Sequence, residues 1–180
     1  MHKMNVKQLT ITGLMAALVL VGTMLIQVPT PTKGYIHIGD SMVYLSGILL
    51  GPIAGSLAAG IGSLFADVFS GYFIYAPATF VIKGLEALAI GYIYHKIVTI
   101  DTSISKKIII FVFSVVVGGM IMVLGYLAYE SILYGFATAV LGVVGNITQA
   151  VGGGVLAAPL MIALDKIKLF QKLKENYKQG

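Results

Sequence analysis

The stretch APATFVIKGLEALAIGYIYHK, Ala76 to Lys96, decides how the chain is read. It has the length and apolar content of a bilayer-crossing helix, since about 20 mainly apolar residues span a hydrocarbon core roughly 30 Å thick. Lys83 and Glu86 interrupt it. Three residues apart, they share one helical face. Charges at such depth are costly, and they face a bundle interior or a wet cavity rather than lipid.

The rest of the chain supports the membrane reading. Of 180 residues, 58% are hydrophobic and only 11% charged, the composition of an integral membrane protein. No linker or low-complexity tract divides residues 1–180, so a single membrane domain is expected. The absence of cysteine excludes a disulfide framework and Cys-based metal sites. Apolar windows at approximately 9–28, 38–50, 53–69, 77–95, 108–130 and 136–164 predict an all-α bundle of six transmembrane helices. The second window is short, and charge asymmetry supports counting it. Lys3 and Lys7, then Lys96, Lys106 and Lys107, then Lys166, Lys168, Lys172, Lys174 and Lys178 flank the windows as cytoplasmic segments do. Both termini are thus expected in the cytoplasm, which demands an even number of crossings of the cell membrane. The basic, apolar N-terminus reads as a retained helix rather than a cleaved signal, having no clear small-x-small site. The net charge of +5 falls mostly on these membrane flanks, and no nucleic-acid partner is expected.

Given this topology, Asp40, Asp67 and Glu130 stand at the outer level. Lys83 and Glu86 lie about 9 and 13 Å below the start of their helix, at about 1.5 Å per residue. Asn146 and Gln149 repeat their spacing on the last helix. In a purely structural reading Lys83 pairs with Glu86, while Asn146 and Gln149 bond neighbouring helices. The functional reading is a polar pocket open to the outside, favoured because the depths coincide on two separate helices. Tyr35, Tyr72, Phe73, Tyr75 and Tyr134 sit in or beside the outer loops. Each Tyr alone suits an interfacial belt, but as a group they suit stacking on a planar ligand. The loop VPTPTKGYIHIGD adds Lys33, His37 and Asp40, stiffened by Pro29 and Pro31. One His and one Asp without a third ligand nearby make only a weak metal signal, so a gating loop or an ordered connector is expected there. No metal or cofactor is expected.

Small residues form stripes suited to close helix contact: Gly13 and Ala17; Gly51, Gly55, Ala59 and Ser63; Gly142, Asn146, Ala150, Gly154 and Ala158. The latter two suit internal packing; the first also suits a partner subunit. No phosphate-binding loop, zinc helix or nucleophile turn is present, so the chain does not itself hydrolyse ATP and is not expected to be an enzyme. An intramembrane enzyme with Glu86 or Asp67 as base lacks a nucleophile or metal set. A self-sufficient channel or carrier lacks the inverted repeat common in secondary transporters.

Tyr35 to Glu86 resembles the substrate-binding S components of energy-coupling factor (ECF) vitamin transporters. The likeness is carried by HIGD opening the second helix, LLGPIAGSLAAGIG across the next turn, FADVFSGY at the outer edge and APATFVIKGLE opening the fourth helix. It implies a binding subunit that captures a water-soluble vitamin or precursor outside the cell. It also implies partners: a membrane scaffold subunit and two cytoplasmic ATPases. The family's small-x-x-x-small contact motif carries over to Gly13 and Ala17. Together with the depth argument, the resemblance makes Lys83, Glu86, Asn146, Gln149, Tyr35, His37, Asp40, Tyr75 and Glu130 the candidate substrate-binding residues. The likeness is to the hydroxymethylpyrimidine, pyridoxine and riboflavin branch. A small heterocycle bearing hydroxymethyl groups is expected, with riboflavin as the alternative.

Overall fold

The computed structural model describes residues 6–30, 32–99 and 101–166; Lys3, Pro31, Lys168, Lys172, Lys174 and Lys178 lie outside the described residues. The chain is helical, with α1 (Val6–Leu25), α2 (Asp40–Phe69), α3 (Ala76–Ile97), α4 (Ile104–Tyr134) and α5 (Phe136–Lys166). All five are long and apolar enough to cross a membrane. Pro77 sits in the first turn of α3, where its missing N–H costs nothing, and His95 and Lys96 close the last turn against the helix dipole. Between α4 and α5 stands Gly135 alone, at φ 83° and ψ 151°, a backbone state that other residues rarely adopt.

The windows expected as separate helices at 38–50 and 53–69 form one element, α2, broken at its middle. Gly51 leaves helical geometry at φ 81° and ψ −178°, and Pro52 follows. The Ser46 hydroxyl donates to the Gly55 carbonyl at 3.0 Å. In a continuous helix, residues nine apart would stand about 13 Å apart along the axis. The chain therefore turns sharply here. Because Pro52 has no N–H, the Ile48 carbonyl loses its helical donor, and His95 Nε2 bonds it instead at 2.7 Å.

The connector between α1 and α2 is ordered as a small hairpin. Strand β1 (Gln27–Pro29) pairs antiparallel with β2 (Tyr35–His37), Val28 opposite Ile36. Its turn is closed by Thr30 N–H to the Gly34 carbonyl at 2.9 Å. Short alternating β-formers flanking a glycine-containing turn explain this, although three-residue strands are too short to stand out in the sequence.

Close backbone approach sets the packing. A Cβ on Gly47 would lie 2.5 Å from the Ala87 carbonyl, and one on Gly91 would lie 2.8 Å from the Gly47 carbonyl, so α2 and α3 meet main chain to main chain. A Cβ on Gly62 would lie 2.4 Å from the Ala16 carbonyl, which brings α1 equally close. The larger core joins Tyr44, Ile48, Ile90, Tyr94, Phe111 and Met161, while a second cluster of Tyr75, Ile82, Met122 and Tyr126 lies beside the hairpin end. At the opposite end Lys107 pairs with Asp165 at 2.6 Å. Val112, Val116, Val144 and Val151 are exposed, as lipid-facing residues of a membrane bundle must be. Gly13 and Ala17 also face outward, and a Cβ on Gly13 would meet nothing within 4 Å.

Gly47→Leu should therefore cost at least about 1–3 kcal/mol by overpacking against main chain that cannot step aside. Gly13→Leu should leave thermal unfolding in detergent unchanged. Equal melting temperatures for Gly47→Leu and the parent chain would refute the close contact.

Candidate functional site

One face of α3 presents Thr79, Lys83 and Glu86, successive turns of the same stripe. The Lys83 ammonium donates to Asp40 Oδ1 at 2.5 Å and to Glu86 Oε2 at 2.9 Å, and lies against the Met122 sulfur. Lys83, Asp40 and Glu86 are wholly buried. Gln149 extends this cluster in two directions. Its amide nitrogen donates to Asp40 Oδ2 at 3.1 Å, and its oxygen accepts the His37 N–H at 2.9 Å. Four helices and the hairpin are thus joined through one buried lysine. Such a cluster gives little net stability against an apolar replacement, but removing one partner strands the remaining charges.

Over this cluster lies a narrow polar cavity of about 30 Å³ that opens at a mouth. The hairpin contributes Thr30, Thr32, Tyr35 and His37; α2 contributes Asp67; Tyr75 and Thr79 stand at the head of α3. Tyr126 and Glu130 of α4, with Gly142, Asn146 and Gln149 of α5, complete the wall. The phenols are tied down. Tyr35 donates to Asp67 Oδ1 at 2.6 Å, Tyr75 to the Thr32 carbonyl at 2.6 Å, and Tyr126 shares a bond with the Thr79 hydroxyl at 3.0 Å. Burial, reinforced by the Asp67 charge, pushes the Tyr35 phenol up, so it stays a donor. His37 is held neutral. Burial lowers its pKa to about 4, with Asp40 opposing and Lys83 adding to the fall. Its Nδ1 accepts the Gly39 N–H at 3.1 Å, which puts the proton of the neutral ring on Nε2. Tyr35 also packs on Tyr72, ring centres 4.6 Å apart.

Of the residues singled out in the sequence, Tyr35, His37, Tyr75, Glu130, Asn146 and Gln149 line this cavity. Asp40, Lys83 and Glu86 lie one layer below, paired with one another. Phe73 is exposed, and Tyr134 lies near the Lys33 ammonium, 6.0 Å from its ring centre. Sequence reasoning missed Thr30, Thr32, Asp67, Thr79, Tyr126 and Gly142 as lining residues. A signal was present for three of them. Thr79, Tyr126 and Gly142 each precede a singled-out polar residue, Lys83, Glu130 and Asn146, by one helical turn.

A family profile described as "ECF-type riboflavin transporter, S component" matches residues 3–166. An uncharacterized protein in gap 3'region of Pyrococcus woesei is 39% identical over 149 residues, covering 82% of this chain and 95% of that protein. A thiamine precursor transporter, HmpT, of Lactococcus lactis subsp. cremoris is 25% identical over 168 residues, covering 92% of each.

The buried cluster makes its own prediction. Lys83→Met should destabilise the chain by about 3–5 kcal/mol, because Asp40 and Glu86 are left facing each other without a counter-charge. Adding Asp40→Asn and Glu86→Gln should recover most of that loss in thermal unfolding. A Lys83→Met chain as stable as the parent would show that the cluster carries no such constraint.

Proposed function

The chain belongs to the family of ECF-type riboflavin transporter S components, and we propose that it captures a small heterocyclic vitamin or vitamin precursor outside the cell for ATP-driven uptake by partner subunits. Membership makes it a membrane transport protein and not an enzyme. The observation that carries the proposal is the polar cavity between the hairpin and α3, α4 and α5 of an otherwise apolar bundle.

In this reading residues 40–50 and 52–69 count as two crossings on either side of the Gly51 turn, which makes six and leaves both termini in the cytoplasm. The distribution of charge supports it. Lys96, Lys106, Lys107 and Lys166 flank one end of α3, α4 and α5, while Asp67, Glu130 and the cavity belong to the other. The ligand meets Tyr35, His37, Tyr75, Glu130, Asn146 and Gln149 directly. Asp40, Lys83 and Glu86 form the fixed floor that positions Gln149 and the hairpin. A hydroxymethylpyrimidine or pyridoxine-like compound is the preferred substrate, supported by the thiamine-precursor name of the Lactococcus relative. Riboflavin, supported by the family description, is the alternative. The partners are a membrane scaffold subunit and two cytoplasmic ATPases. Gly13 and Ala17, small and outward-facing on α1, let a scaffold helix come within backbone distance.

Ala17→Trp separates capture from transport. Ligand affinity of the purified variant should stay within a few-fold of the parent, since α1 contributes nothing to the cavity wall. ATP-driven uptake by the assembled complex should fall by about tenfold or more, the cost of roughly 1.4 kcal/mol in helix association. Lost binding with unchanged assembly would place the stripe inside the bundle. Ligand flux through the chain alone in liposomes, without ATP, would point to a self-sufficient carrier.

A further inference from the structure

Two carboxylates, Asp67 and Glu130, stand in the cavity wall. Asp67 and Glu130 are each only 4% exposed, yet Asp67 Oδ2 and Glu130 Oε2 are buried without a hydrogen-bond partner among the described residues. Buried carboxylate oxygens are rarely left so. Their second oxygens are not well served either. Asp67 Oδ1 takes the Tyr35 proton, but Glu130 Oε1 stands 3.2 Å from a Tyr75 hydroxyl whose single proton already points at the Thr32 carbonyl, 2.6 Å away.

Other donors line the cavity, the Asn146 amide, His37 Nε2 and the Thr32 and Thr79 hydroxyls among them, but none is hydrogen-bonded to Asp67 Oδ2 or Glu130 Oε2. The Gln149 amide is spent on Asp40, and Lys83 on Asp40 and Glu86 below the cavity floor. Even there Glu86 Oε1 has no hydrogen-bond partner among the described residues. The buried part of the site thus holds four carboxyls, on Asp40, Asp67, Glu86 and Glu130, and the single ammonium of Lys83. An anionic ligand would enter this field without a counter-ion. Beside Glu130 the wall is cut away: a Cβ on Gly142 would lie 2.7 Å from Oε2, so glycine leaves the carboxylate open on that side.

We infer that Asp67 and Glu130 select a ligand that donates hydrogen bonds at two points: a small nitrogen heterocycle bearing amino or protonated ring N–H groups, and no phosphate or carboxylate. This rests on the outer cavity being the ligand site. It names the chemistry that fits there. Donors on the ligand complete the two open carboxylate oxygens, while Tyr35, Tyr75 and Tyr126 supply ring surface to a planar or cationic body. The consequence is that uptake precedes phosphorylation, because a phosphate ester of the same compound is rejected at the cavity.

The test uses the purified full-length chain in nanodiscs, with binding measured by calorimetry and native mass spectrometry. The probes are 4-amino-5-hydroxymethyl-2-methylpyrimidine, its 4-methyl analogue lacking the amine, its phosphate ester, and riboflavin. The aminopyrimidine should bind. Loss of the amine should weaken binding about tenfold or more, and the phosphate ester about a hundredfold. Asp67→Asn and Glu130→Gln should each weaken the aminopyrimidine by about 10- to 100-fold, the range of one charge-assisted bond, while unliganded thermal stability is kept or raised. Unchanged affinity in both amide variants, or a phosphate ester that binds as well as its parent, overturns the inference. Tight riboflavin binding that ignores both substitutions does the same while leaving the vitamin-capture reading intact. If neither the aminopyrimidine nor riboflavin binds the parent chain, that reading falls and takes the inference with it.

Discussion

One ammonium group organises this protein. Lys83 is wholly buried in a chain whose surroundings are helices and lipid, where an unpaired charge is among the most costly things a sequence can contain. It is tolerated because Asp40 and Glu86 lie within 3 Å and the Met122 sulfur packs against it. These partners come from α2, α3 and α4, and Gln149 of α5 is tied to the same carboxylate of Asp40. Apolar packing in a membrane discriminates weakly between rotations of a helix about its own axis. A single buried charge with fixed partners discriminates strongly, because other rotations leave it unpaired.

The glycines determine how closely those helices approach. Where Gly47 and Gly91 meet, α2 and α3 come close enough for Asp40 to reach Lys83 at the next level, and a side chain at either position would push them apart. The turn at Gly51 lets one apolar segment pack against itself, and His95 repairs the carbonyl that Pro52 leaves unbonded. From the other end the hairpin closes over the cluster, its backbone held by Gln149 and its Tyr35 by Asp67. The floor, wall and rim of the cavity therefore depend on one another. A ligand bound there would rest on a network that keeps an open carboxylate oxygen below, on Glu86, and two above, on Asp67 and Glu130.

Much of this was legible in the sequence. The apolar windows marked every helix, and the tripeptide spacing of Lys83 with Glu86 and of Asn146 with Gln149 marked the faces that converge. The break at Gly51-Pro52 was legible as a boundary between windows, though not as the turn within one element. What stayed hidden was which polar residues face the cavity and which face each other. Lys83 and Glu86 are as conspicuous in sequence as Glu130, and only the arrival of Asp40 from α2 accounts for their burial in mutual contact. Conversely Thr79 and Tyr126 are ordinary membrane-helix residues taken singly. They become part of a wall only because each sits one turn from a polar neighbour on a helix whose rotation Lys83 helps to set.

The central claim is that the ligand stands on an intact ion cluster, under the hairpin and between the open carboxylate oxygens. A ligand-bound structure of the full chain in a lipid nanodisc tests this most directly. The account predicts a heterocycle within hydrogen-bond distance of Asp67 and Glu130, with Lys83 still bonded to Asp40 and Glu86 beneath it. A ligand bonded to the Lys83 ammonium with Asp40 displaced, or one seated in the apolar groove that Val115, Gly119, Val123 and Ile147 line between α4 and α5, would contradict it.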